Sequence, residues 1–135
     1  MKENLLSTLE NSRTYTIQVA DSMPAEGYDF KPVGAAWEYR ELLHHIAYGI
    51  RWWEDNFVKG VKTDWNPPSA NGKKKEIIDS IQQAYDSLRE SIMGSQDNQA
   101  LAAGFHATLD HITHHRGQAT LYLRCKGITP PEYSY

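Results

Sequence analysis

Residues 111–118 read HITHHRGQ, with histidines at positions 111, 114 and 115. Histidines so spaced can hold a metal through neutral ring nitrogens, move protons near neutral pH, or pack as hydrogen-bonded residues at a core edge. His111 and His115 are four apart, so on a helix they lie one above the other and can share a cation about 2.0–2.1 Å from each nitrogen. Gln118 and Tyr122 continue that row. His114 is offset from His111 by about 60° and His106 points further outward, so both are expected at the surface. The remaining histidines are the neighbours His44 and His45.

Four stretches with helical periodicity must position these residues, separated by segments rich in Pro, Gly, Ser or Asn. The first spans about Lys2 to Ser22, with Leu5, Leu9, Ser12, Thr16 and Val19 on one face, and Pro24 ends it. The second is expected from about Ala36 to Lys59, stopping near Gly60. The third covers about Lys74 to Met93, with Ile77, Ile81, Ala84, Leu88 and Ile92 three or four apart. The fourth begins between Asp97 and Ala102 and ends at Gly127, before Pro130-Pro131. No alternating strand pattern or internal repeat accompanies them, so the expectation is an all-α four-helix bundle formed by one domain over residues 1–135.

The apolar stripes orient the histidines. In the second helix Leu42, Ile46, Gly49, Trp53 and Phe57 share a stripe; His45 lies beside it, one turn below Gly49, and His44 is about 100° further round. In the fourth, Phe105, Thr108, Ile112, Ala119 and Leu123 form the stripe, with His111 and His115 at its edge. A third ligand from a facing helix would complete a metal site with a position left open, and His45 is the economical candidate. Against this stands the reading of three imidazoles satisfied by ordinary hydrogen bonds. Glu38 and Glu41 share the face of His45 and read as polar rim residues. The aromatic set Trp37, Trp52, Trp53, Trp65, Tyr48, Tyr122, Tyr133 and Tyr135 reads mainly as core, with Trp52 and Tyr122 the two that share faces with the histidines. Cys125 has no neighbouring histidine in sequence to activate it, and no nucleophile-elbow signature is present.

Composition narrows the function classes. The 135 residues are 40% hydrophobic with a net charge of −3, and the only basic run is Lys73-Lys74-Lys75, expected at a solvated helix start. That footprint argues against nucleic acid as a partner. No stretch approaches the ~20 apolar residues of a membrane span, and the N-terminal segment, interrupted by Glu3, Glu10 and Arg13, reads as structure rather than as a secretory signal. A lone cysteine fits a reducing compartment, so the cytoplasm is the expected location.

The segments MPAEGYDFKP (23–32), WEYRELLHHIAYGIRWW (37–53) and DHITHHRGQATLYLRCKGITPPEY (110–133) together resemble the DinB-like superfamily of damage-inducible bacterial proteins, in the family's order. The resemblance implies a four-helix bundle binding a divalent metal through three histidines, which carry over as His45 before Ile46-Ala47, and His111 and His115, the latter before Arg116-Gly117-Gln118. His44 and His114 are then non-ligand neighbours. The connection from Gly94 to Gln99 is shorter than in many members. The family also resembles thiol-dependent enzymes, including bacillithiol transferases and mycothiol-dependent maleylpyruvate isomerases, while many members have no assigned activity. The implied activity is metal-dependent thiol S-transfer or hydrolysis of a small molecule, with a low-molecular-weight thiol as the partner and zinc, nickel or iron not distinguished. The rival expectation is a stress-related metal-binding module, a homodimer without catalysis, whose surface aromatics and PPEYSY tail serve an interface.

Overall fold

The computed structural model describes residues 1–133. It consists of α1 (Lys2–Ser22), a 3₁₀ turn (Ala25–Gly27), α2 (Tyr39–Trp53) running into a π-helical turn (Glu54–Lys59), α3 (Lys74–Met93) and α4 (Gln99–Cys125). No strand occurs among the described residues. The fold is an all-α bundle of four helices, as the periodicity predicts. α1 and α2 each pack on both α3 and α4, so α1 and α2 lie on one diagonal of the bundle. The face carrying His45 is thereby set beside α4.

The expected stripes form the core. Leu5, Leu9, Ser12, Thr16 and Val19 of α1, the five named apolar residues of α3, and Phe105, Thr108, Ile112, Ala119 and Leu123 of α4 are all buried. Asn98 caps α4 by accepting from the Leu101 amide at 2.9 Å. Gly127, at φ +77°, closes its other end, with Ile128 N–H donating to Leu123 O at 2.9 Å.

The crossing from α1 to α2 is fixed by two fully buried tyrosines. Tyr28 donates to Ala20 O at 2.6 Å and Tyr39 to Val19 O at 2.7 Å, satisfying carbonyls in the last turn of α1 that have no helical partner. The first amides of α2 bond in turn to loop carbonyls, Tyr39 N to Phe30 O and Arg40 N to Tyr28 O. This pairing explains why α2 starts at Tyr39 and not near Ala36: Glu38 is extended, with ψ 161°, and its amide donates to Glu41 Oε1 at 3.2 Å. Glu38 and Glu41 are therefore helix-start residues.

The other departure is at the end of α2. The expected stripe included Phe57, yet Phe57 is 49% exposed while Glu54 is 1% exposed. Glu54 continues the buried α2 row of Leu43, Ala47 and Ile50, whereas the π turn that begins there takes more residues per turn than an α-helix and carries Phe57 out of phase. Its Oε1 accepts from Ser87 Oγ at 2.9 Å and Ser91 Oγ at 2.5 Å, with Lys59 Nζ at 3.5 Å. A buried carboxylate held this way anchors α2 to α3. Removing it strands two hydroxyls and opens a cavity, so Glu54→Ala should lower the unfolding free energy by about 3 kcal/mol in urea titrations. A change within about 0.5 kcal/mol, the scale of ordinary surface substitutions, would contradict this role.

Candidate metal centre

Of the six histidines, the structure brings together His45, His111 and His115, with one ring nitrogen of each within 4.8 Å of those of the other two. His45 Nε2 stands 2.9 Å from His115 Nε2 and 3.1 Å from His111 Nε2. His114 and His106 are exposed, as their helical phase predicts. His44 is half-buried and outside the cluster, its Nε2 without a hydrogen-bond partner.

A close approach of backbone and ring makes the cluster possible. A Cβ placed on Gly49 of α2 would stand 2.7 Å from His111 Nδ1, a separation that real Cβ atoms essentially never show. Gly49 is therefore the seat of the His111 ring, and it lies one turn beyond His45 on the same face. Substituting the seat pushes His111 off α2 and away from His45.

Protonation follows from the partners. Gln118 Oε1 can only accept, so the 2.8 Å contact is a hydrogen bond donated by His115 Nδ1–H, which leaves the lone pair of His115 on Nε2, toward the cluster. Whatever tautomer His45 and His111 adopt, one hydrogen cannot satisfy all the ring nitrogens that face one another. His111 Nδ1 is buried without a partner. Burial, reinforced by the like charges of His115 and neighbouring imidazoles, lowers both His45 and His111 to about 4. His115 is lowered by burial, against the opposing hydrogen bond to Gln118.

This donor set fits a divalent cation. Two nitrogens each about 2.1 Å from one ion are about 3 Å apart at a right angle and about 3.4 Å apart at a tetrahedral angle, close to the separations seen here. Three neutral imidazoles with converging lone pairs can hold such an ion.

Two tryptophans that lie outside the regular helices frame the cluster. Trp37, just before α2, stacks at 4.6 Å on His45 and lies 5.8 Å from His115. Trp65, in the 60–73 loop, lies 5.3 Å from His45 and 6.4 Å from His111. Tyr122 donates to Trp37 O at 2.7 Å, which pins that tryptophan to α4. The loop bearing Trp65 is fastened to α2 by Asn66 N–H donating to Tyr48 Oη, Trp52 Nε1–H to Thr63 O, and a two-way bond between Asn56 and Thr63. Helical periodicity carried no signal for Trp37 or Trp65. Trp52 and Tyr122, which did share faces with the histidines, serve as braces for them, and Tyr135 lies outside the described residues. Clefts of about 240 Å³ beside His45 and about 530 Å³ beside His115 flank Trp37, the second lined also by Gln118 and Cys125.

A family model described as the DinB superfamily matches residues 8–119, which span most of the chain and all three clustered histidines. The chain belongs to the DinB superfamily. No curated protein matches it. The all-α bundle and the histidine cluster between α2 and α4 are in keeping with this DinB membership, and no helix among the described residues is long and apolar enough to cross a membrane.

The depressed histidines set a pH dependence for the metal-free protein. The unfolded chain protonates His45 and His111 near 6.5 and the folded one near 4, so the unfolded state binds more protons between those values. Their contribution to stability is therefore complete above pH 6.5 and is lost as the pH falls through 4. Urea midpoints measured in chelator across that window should fall on acidification, less steeply for His45→Gln/His111→Gln; equal slopes would contradict the assignment.

Proposed function

We propose that this DinB-superfamily protein is a divalent-metal-dependent enzyme acting on a small molecule, by thiol S-transfer or hydrolysis, with His45, His111 and His115 as the metal ligands. The carrying observation is the convergence of three imidazoles kept neutral at physiological pH with too few hydrogens between them. When bound, a divalent cation acts as a Lewis acid that lowers the pKa of water or a thiol and so supplies a nucleophile near neutral pH. Imidazole donors suit zinc, nickel and iron alike.

The chain's own residues have separable tasks in this reading. Gln118 orients His115 by accepting from Nδ1. Gly49 gives the His111 ring its place. Trp37 and Trp65 exclude water from two sides of His45, and the cleft beside His115, with Gln118 and Tyr122 in its wall, receives the substrate. Tyr122 donates its proton to a backbone carbonyl and so positions Trp37 instead of serving as an acid. Glu41 is engaged at the start of α2, which argues against it as the general base. A low-molecular-weight thiol as co-substrate and a cytoplasmic setting complete the proposal.

Metal analysis of protein purified without a histidine tag or metal column tests it. About one ion per chain is expected, falling to near none in His45→Ala and His111→Ala while helical circular dichroism persists. Substoichiometric metal in the wild type, with no rise in melting temperature on adding zinc, nickel or manganese, would refute it.

A further inference from the structure

On the other flank of α4, a buried cation with no carboxylate partner among the described residues lines a cleft. Arg116 follows His115 by one residue, about 100° around the helix, and so leaves the histidine face for the seam between α4 and α1. It is 4% exposed. Nη1 donates to Ser12 O at 3.4 Å, Ser12 Oγ at 3.3 Å and Thr16 Oγ1 at 3.2 Å. All three acceptors are neutral, and all three distances exceed the ~2.7–2.9 Å usual for a charged donor on an anion. Among the described residues no carboxylate forms an ion pair with it.

The guanidinium carbon lies 4.9 Å from the ring centre of Tyr15 and 5.5 Å from that of Tyr133. These ring faces offset part of the cost of burying a cation, but they supply no anionic oxygen. Nε and Nη2 make no hydrogen bond among the described residues, and neither is sealed off from solvent. Arg116 lines a cleft of about 570 Å³, with Tyr15, Thr120, Arg124 and Tyr133 also in its wall. That volume lies within the range of small-molecule sites, about 300–1,000 Å³. The acid in the lining, Glu132, is exposed.

We propose that this cleft binds a small organic anion, a carboxylate or phosphate monoester, whose oxygens pair with Nε and Nη2 of Arg116 and whose apolar part lies against Tyr15 and Tyr133. One guanidinium edge presents two parallel donors, the geometry that planar two-oxygen groups accept. Arg124 at the rim adds a second positive charge. The site is separate from the histidine cluster and needs no metal.

Phenylacetate, phenyl phosphate and neutral phenylacetamide, titrated into the full chain with and without chelator, test the assignment by amide NMR. Either anion should shift the Gly117, Thr120 and Tyr133 amides saturably in both conditions, and phenylacetamide should bind weaker by about tenfold or more. Response to one anion alone supports the site and identifies the head group. Because Arg116→Ala removes a residue that ties α4 to α1, the deciding variant is Gly117→Leu. Gly117 lines the cleft and a Cβ there meets nothing within 4 Å, so the α4 backbone accommodates a leucine whose side chain narrows the cleft while Arg116 itself is retained. It should abolish the shifts with helical circular dichroism unchanged. The proposal is overturned by equal binding of phenylacetamide, by shifts confined to Trp37 and Gln118, by binding that survives Gly117→Leu, or by no saturable shift with either anion.

Discussion

The close approach of α2 and α4 at Gly49 governs the histidine cluster. With no side chain at that position, the His111 ring lies against the α2 backbone and its Nε2 reaches 3.1 Å from His45 Nε2. The i, i+4 repeat of α4 then brings His115 to the other side of His45 without further adjustment. A methyl group at Gly49 would separate the helices or turn the ring, and either movement breaks the convergence. The packing of the bundle and the geometry of the site are thus one constraint.

Around this point the fold spends irregular structure where chemistry needs enclosure. The α1–α2 crossing is locked by Tyr28 and Tyr39 against carbonyls of α1, and it delivers Trp37 onto His45. The loop after the π turn is bound to Tyr48, Trp52 and Asn56, and it delivers Trp65 from the opposite side. Both tryptophans are held by hydrogen bonds from helical residues to the segments that carry them. The cluster is walled yet remains bordered by two clefts.

The four helices and the three clustered histidines were legible because both depend on phase along a helix, which periodicity reports directly. Residues off that phase were not. Phe57 was placed in the core stripe because an unbroken α-helix puts it there, and a π turn with no clear sequence mark moved it outward. Trp37 and Trp65 sit in extended or looped chain, where spacing says nothing of tertiary position. Arg116 read as a family suffix, and its burial depends on Ser12, Thr16 and Tyr15, a hundred or more residues away in the chain, a pairing that no local pattern encodes.

The central claim is that one cation sits among the Nε2 atoms of His45, His111 and His115. Anomalous diffraction at the metal's absorption edge, on crystals of protein purified without a histidine tag, tests it most directly. The account predicts a single anomalous peak about 2.0–2.2 Å from all three nitrogens, with at least one coordination position not filled by protein. A peak ligated by His44 or His114, or no peak at the cluster in crystals grown with excess metal, would contradict it.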